Sequence, residues 1–206
     1  MLLARDTLDS KDPQSALKSA YTITRAAGIV QDLPNMLNGH ASHGTVAWRG
    51  GVLVFCSSAE QGERKCERLG LKEMSWELLP ELNQPRHDFT PAVWRNAVYL
   101  CGGGPPSIEV FDGHSMQVLS LELMDKGEMW TCASDSSLYI FSTNHVSTVF
   151  KPADSTTLRL KWEKTHGQNR IESTPVVWRE KIRTFRVNTL YWDHEYYVKW
   201  ELLATL

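Results

Sequence analysis

Residues 91–101 read PAVWRNAVYLC, and the fold of the chain follows from the order of apolar and polar residues in this stretch. The apolar run Ala92–Trp94 predicts a short β-strand, and Arg95 and Asn96 have the polar character of a hairpin turn. The continuous apolar run Val98–Cys101 is typical of a strand that is buried on both faces. The stretch therefore predicts a β-hairpin with its second strand inside the protein.

The residues that follow extend this hairpin into a four-stranded unit. Gly102 and Gly103, with a third glycine after them, break the second strand. Ser107–Phe111 alternates between apolar and polar residues, which predicts a third strand ending at the Asp-Gly turn of residues 112–113. Val118–Leu123 is predicted to be the fourth strand.

The hairpin sequence recurs along the chain, which makes it a repeated unit. Residues 45–55 read TVAWRGGVLVF, displaced by 46 positions, and residues 175–182 read PVVWREKI, displaced by 84. An intermediate copy at residues 131–141, TCASDSSLYIF, keeps the apolar pattern with Ser134 in place of tryptophan, so the steps are 46, 40 and 44.

A second segment repeats at the same spacing, which makes a chance match improbable. Leu33–Met36 aligns with Leu79–Leu82, and His40 aligns with Arg86, both at 46 positions. Four short antiparallel strands in each unit of about 40 to 50 residues are typical of a β-propeller blade. Each blade would need neighbouring blades to bury both faces of its sheet.

The second unit resembles the kelch motif. The resembling residues are a proline-arginine entry at residues 85–86, the double glycine at 102–103, the strand EVFD at 109–112 and, in the first unit, the tail WELLP at 76–80. The double glycine is replaced by Cys-Ser at residues 56–57 and by Ser-Thr at residues 142–143. The resemblance implies a kelch-like β-propeller, a fold that commonly binds proteins through the loops between its strands.

We therefore expect an all-β chain with about four blades and part of another. Residues 1–20 are expected to be a polar leader, and residues 21–206 the propeller. The predicted units are residues 40–84, 85–126, 127–168 and 169–206, with a partial blade before residue 38. This number of blades leaves four arrangements open: an open or incomplete propeller, a closed ring of four or five blades, a fragment of a longer protein, or a half that forms a homodimer through its exposed edge.

Charge and composition exclude several classes of partner. The formal net charge is −2, so the chain has no excess of positive charge to hold nucleic acid or an anionic membrane. The N-terminus lacks the pattern of a secretory signal, and the apolar runs are strand-sized. The four cysteines form no C-x-x-C pair, which favours a reduced, cytoplasmic setting, although a Cys56–Cys101 disulfide between blades is left open.

The candidate site residues are those that recur once in each unit. Trp48, Trp94 and Trp178 occupy equivalent positions; they are interpreted mainly as packing between blades, with aromatic anchors for a ligand as the alternative. The arginine that follows each tryptophan is either a solvated turn residue or part of a face that recognises acidic side chains. These arginines are Arg49, Arg95 and Arg179.

No catalytic, cofactor or metal site is predicted. Gly102 and Gly103 lack the helix and the lysine-serine pair of a phosphate-binding loop, and they are interpreted as a blade turn. The seven histidines are scattered, and His40 and His43, three residues apart, have no nearby cysteine or carboxylate partner, so they are interpreted as ordinary surface or loop residues. We expect a non-catalytic scaffold that binds a protein partner through the loops at residues 57–64, 102–106 and 143–147. The alternative is an enzyme or a metal or small-ligand binder with its site at the propeller axis.

Overall fold

The structure is a computed structural model that describes the greater part of the chain. The described residues are 2–4, 18, 20–23, 30–39, 42–57, 64–86, 89–103, 107–120, 129–135, 137–142, 146–154, 157–164, 176–178, 181–189 and 196–205. Every regular element in these ranges is a β-strand, and the strands pair antiparallel, so the predicted all-β class is confirmed. No helix in the described ranges is long and apolar enough to cross a membrane.

The strands form five sheets, each made of consecutive strands. Sheet I contains β1 (Leu2–Ala4), β2 (Ala20–Ile23) and β3 (Val30–Leu33). Sheet II contains β4 (Ser42–Trp48), β5 (Gly51–Ser57), β6 (Cys66–Gly70) and β7 (Ser75–Leu79). Sheet III contains β8 (Thr90–Trp94), β9 (Ala97–Cys101), β10 (Ser107–Phe111) and β11 (Met116–Ser120). Sheet IV contains β12 (Met129–Ala133), β13 (Leu138–Ser142), β14 (Val146–Asp154) and β15 (Thr157–Lys164). Sheet V contains β16 (Val176–Trp178), β17 (Lys181–Thr189) and β18 (Tyr196–Thr205).

The hairpin that was predicted from residues 91–101 is present as β8 and β9. Arg95 and Asn96 form its turn with positive φ angles of 46° and 63°, the left-handed conformations of a type I′ turn. This turn type matches the twist of the flanking strands, so Trp94 pairs directly with Ala97. β9 is buried from Val98 onward, as the apolar run predicted.

The repeat of this hairpin is visible in the strand register. Trp48 pairs with Gly51 and Trp178 pairs with Lys181, in the same relation as Trp94 to Ala97. In sheet IV the backbone N–H of Ser134 donates to the carbonyl of Ser137 at 2.9 Å, so the serine that replaces tryptophan also lies at the end of the first strand.

Gly102 and Gly103 end β9, as predicted, and their φ angles of 99° and 65° require glycine or a strained residue. A Cβ atom on Gly102 would collide with the carbonyl oxygen of Met129 in the next sheet. The fourth strand differs from its prediction, since β11 begins at Met116, two positions before Val118. Pairing across the Asp-Gly turn explains the earlier start, because Met116 is the register partner of Phe111.

The hydrophobic core lies between consecutive sheets. Sheets II and III share a cluster that contains Trp48, Phe55 and Leu82 from one side and Leu100 and Phe111 from the other. Sheets III and IV share a second cluster, which contains Trp94, Tyr99, Cys101, Ile108, Met129, Leu138 and Ile140. A smaller cluster of Ala20, Met36 and Val54 joins sheet I to sheet II. Sheet III is therefore apolar on both faces.

The first strands of sheets II to V lie beside one another. β8 contacts β4 and β12, and β12 contacts β16. The hydroxyl of Thr131 in β12 donates a hydrogen bond to the carbonyl oxygen of Thr90 in β8. The strand orders are linear, so none of the five sheets closes on itself.

Two segments of the predicted domain plan contain features that the sequence did not suggest. β1 lies inside residues 1–20, the predicted polar leader, where it pairs with β2. In the last unit, β17 pairs with both β16 and β18, so the arginine-containing run of residues 183–187 occupies the middle strand of its sheet.

Candidate functional site

A buried arginine fixes the segment that leads into sheet III. Arg86 has no exposed surface, and its Nε donates to Oε1 of Glu109 at 2.8 Å, an ion pair with both side chains buried. Its other nitrogens donate to the carbonyl oxygen of Gly102 at 2.9 Å and to both the carbonyl and the hydroxyl of Ser107 at 3.0 and 2.8 Å. One side chain therefore holds the entry to β8, the end of β9 and the start of β10 together.

The carboxylate of Glu109 also binds the backbone of the same entry segment. Its Oε2 accepts the backbone N–H of Asn83 at 2.6 Å and the side-chain amide of Asn83 at 3.1 Å. Glu67 occupies the equivalent position in β6 of sheet II and is equally buried. It accepts the backbone N–H groups of Leu37 and Asn38 at 2.8 and 2.7 Å. A buried carboxylate on the third strand thus holds the segment that enters the first strand of its own sheet.

Sequence reasoning missed both carboxylates as structural centres. The alignment of His40 with Arg86 located the entry segments, and a glutamate recurs in the third strand of both units, which was the available signal. A glutamate in an alternating strand is nevertheless expected to face solvent, and its partners lie between 23 and 30 residues away in the chain.

The repeated tryptophans lie in the cores between sheets. Trp48 is 8% exposed and packs against the ring of Phe111 in sheet III, with ring centroids 5.5 Å apart. Trp94 is 2% exposed, belongs to the core between sheets III and IV, and contacts Tyr99 at 5.7 Å. Only the backbone of Trp178 is described. The described indoles are thus positioned to pack between sheets, with little surface left for a ligand.

The arginine after each described tryptophan lies over the indole ring. The Cζ of Arg49 is 4.2 Å from the ring centroid of Trp48, and the Cζ of Arg95 is 4.8 Å from that of Trp94. Both arginines are exposed and have positive φ angles, 44° and 46°. A buried aromatic ring therefore supports an exposed guanidinium at the same place in two sheets.

These turns lie together at one end of sheets II and III, which we call the hairpin edge and define as residues 49–50, 71–74, 95–96 and 112–115. The Nε of Arg49 donates to Oδ1 of Asn96 at 3.0 Å, which links the turns of the two sheets. Within sheet II, the N–H of Leu71 donates to the carbonyl of Gly50 at 3.3 Å. Arg49 also lies against Gly113, where a Cβ atom would be 2.9 Å from Nη1.

Several predicted site residues and loops lie outside the described residues. Arg179 is one of them. The proposed contact loops at residues 57–64, 102–106 and 143–147 are described only at Ser57, Arg64, Gly102, Gly103 and residues 146–147. The hairpin edge is at the opposite end of sheets II and III from the described loop residues Ser57, Arg64, Gly102 and Gly103, because successive connections of an antiparallel sheet alternate between its ends.

Cys101 and Cys132 are buried and form no disulfide. Burial raises the pKa of Cys101 to about 12, although the nearby Arg86 guanidinium acts in the opposite direction, and burial raises the pKa of Cys132 to about 12 as well. Cys101 is a free thiol, so the Cys56–Cys101 disulfide considered from the sequence is wrong; its side chain instead packs 4.0 Å from the sulfur of Met129. Within the described ranges, no cluster of three histidine, cysteine or acidic residues could hold a metal ion.

Comparison with known proteins adds no family assignment. No protein-family model matches the sequence, and no curated protein is significantly similar to it.

Proposed function

We propose that the chain is part of a kelch-like β-propeller that acts in the cytoplasm as a non-catalytic scaffold for a protein partner. The arrangement of its sheets supports the propeller. Consecutive sheets share cores, the first strands of sheets II to V are neighbours, and each entry segment in sheets II and III is bound by a buried glutamate. This is the geometry expected when blades stack around an axis.

The main observation in favour of the scaffold function is that two exposed arginines lie at equivalent hairpin turns, each supported by a tryptophan that is buried between sheets. Arg49 and Arg95 project from turns whose flanking tryptophans are fixed in the cores between sheets. Exposed charged groups on a rigid β framework can recognise a partner with little loss of conformational entropy, because the framework is already ordered.

The test is to select peptides from a displayed random library for binding to the immobilised chain. A selected peptide counts as a specific ligand if soluble folded chain displaces it from the immobilised chain and heat-unfolded chain does not. Peptides that meet this criterion support the scaffold. The absence of such sequences, or stoichiometric copper, zinc or iron in the purified chain, would contradict it and favour a site at the axis.

The exposed edge of an incomplete propeller raises a separate proposal, that two copies of the chain pair through it. Light scattering tests this directly. A solution mass twice that of the chain supports the homodimer, and the mass of a single chain contradicts it.

A further inference from the structure

We infer that the hairpin edge binds an acidic segment of a protein partner, with Arg49 and Arg95 each receiving a carboxylate. This inference rests on the proposed scaffold function and gives it a surface and a partner chemistry. The surface lies at the opposite end of sheets II and III from the described residues of the predicted contact loops, Ser57, Arg64, Gly102 and Gly103.

The two guanidinium groups are held in place before any partner arrives. Each lies over an indole ring that is itself buried between sheets, at 4.2 Å for Arg49 and 4.8 Å for Arg95. Cation–π stacking restricts an otherwise flexible side chain and leaves the edges of the planar group open for hydrogen bonds. Binding of a carboxylate there therefore causes little further loss of conformational entropy in the arginine side chain.

The backbone at both arginines is also unfavourable for a residue other than glycine. Their φ angles of 44° and 46° lie in the left-handed region, which costs an ordinary residue about 1 kcal/mol or more. The same chain uses glycine in this conformation at Gly50, immediately after Arg49. Arginine is thus present at two positions where glycine would be the residue of lower conformational strain.

The hairpin edge has two acidic side chains, Glu73 and Asp112, and neither forms an ion pair with Arg49 or Arg95; Glu73 lies beside Gly70. Asp112 accepts the N–H groups of His114 and Ser115, which lowers the pKa of its carboxyl. Beside this edge, Glu77 forms an ion pair with Arg68 at 2.7 Å. Among the described residues, no carboxylate forms an ion pair with Arg49 or Arg95.

The connection between the two turns suits a segment with two nearby carboxylates. Arg49 donates to Asn96, and Asn96 is the chain neighbour of Arg95, so the two cations belong to one continuous surface. Guanidinium groups bind carboxylates through paired, parallel hydrogen bonds. The net charge of −2 disfavours a nucleic acid on the same surface, because attraction to a polyanion depends on excess positive charge.

The experiment measures binding of a fluorescein-labelled ten-residue peptide of alternating glutamate and glycine, and of its glutamine counterpart, by fluorescence anisotropy. The unmodified chain is compared with the double variant Arg49→Gln/Arg95→Gln. The matched control is Arg64→Gln/Lys65→Gln, which removes the same charge from two residues immediately before β6, at the end of that strand opposite to the hairpin edge. Urea unfolding of each protein establishes that the compared proteins are folded at the temperature used.

We expect the glutamate peptide to bind the unmodified chain at least about tenfold more tightly than the glutamine peptide does. The Arg49→Gln/Arg95→Gln variant should lose that tenfold difference, and the control variant should keep it within about twofold. The pair Arg49→Lys/Arg95→Lys keeps the charge without the planar fork, so it should recover only part of the binding.

Three results would overturn the inference: equal binding of the two peptides, equal loss in the control variant, or tighter binding of a ten-nucleotide single-stranded DNA than of the glutamate peptide. Library selection separates this inference from the scaffold function. If selected peptides bind the Arg49→Gln/Arg95→Gln variant as well as the unmodified chain, the scaffold stands and the acidic-segment inference fails.

Discussion

Arg86 is the largest of the fully buried side chains in the described part of the protein, and its position shows how one residue can fix several segments. Its hydrogen bonds reach Glu109, Gly102 and Ser107. Removing the guanidinium would leave Oε1 of Glu109 and the carbonyl oxygen of Gly102 buried without these donors, while Oε2 of Glu109 would keep its hydrogen bonds from Asn83. Loss of one partner of a buried ion pair costs about 3–5 kcal/mol, far more than the net contribution of the intact pair.

We therefore expect Arg86→Met to lower the free energy of unfolding by about 3–5 kcal/mol, as measured by urea denaturation followed by tryptophan fluorescence. Arg64 is the matched control, because its ion pair with Glu81 is exposed at 41% and 58%. Arg64→Met should cost about 1 kcal/mol or less. Equal losses in the two variants would show that the Arg86 network does not stabilise the fold.

At the scale of the elements, hairpin turns and strand ends depend on backbone conformations that only certain residues adopt easily. Gly50 and Gly102 both have positive φ angles, 69° and 99°, but their surroundings differ. A Cβ atom on Gly50 would meet nothing within 4 Å, whereas one on Gly102 would collide with the backbone of Met129 in the next sheet.

Gly50→Ala should therefore lower the free energy of unfolding by about 1 kcal/mol, because only the unfavourable positive φ angle contributes. Gly102→Ala should cost at least about 2 kcal/mol more, because sheets III and IV would have to separate locally. Thermal unfolding of the two variants, each compared with the unmodified chain, tests the difference. A larger loss for Gly50→Ala would contradict the close contact between these sheets.

The elements of sheet III were largely predictable from sequence, because turn chemistry and periodicity are local properties. Arg95 and Asn96 marked the turn, and the glycines marked the end of β9. The burial of Glu109 was not predictable in this way, because it depends on Asn83 and Arg86, which reach it through folding of distant segments. The hairpin edge could be predicted only in part. The repeat identifies the arginines as recurring residues, but their stacking on buried indole rings is seen only in the structure.

At the scale of the whole molecule, stability is shared between neighbouring sheets. The ring centroid of Phe111 in sheet III lies 5.5 Å from that of Trp48 and 6.4 Å from that of Phe55, both in sheet II. When repeated units bury their faces only against neighbouring units, a mutation in one interface mainly destabilises the two units that form it.

Phe111→Ala removes the aromatic group that joins sheets II and III, and its expected cost is about 3–5 kcal/mol. Hydrogen exchange should accelerate in β5, which belongs to sheet II, more than in β13, which belongs to sheet IV. Leu78→Ala, at a side chain that is 65% exposed, should leave both strands protected. Faster exchange in β13 than in β5 would contradict coupling through the core that contains Phe111.

The thiols of Cys101 and Cys132 are buried, so each can react with an alkylating reagent only when local opening of the chain exposes it. With pKa values of about 12, both are protonated at pH 8, and Cys101, which belongs to the core between sheets III and IV, is inaccessible to an alkylating reagent while those sheets are packed together. Alkylation of the peptide that carries Cys101, read by mass spectrometry, would therefore count only molecules that have opened at this interface. Partner binding that holds the sheets closed would appear as slower labelling, with no dye or tag added to the protein.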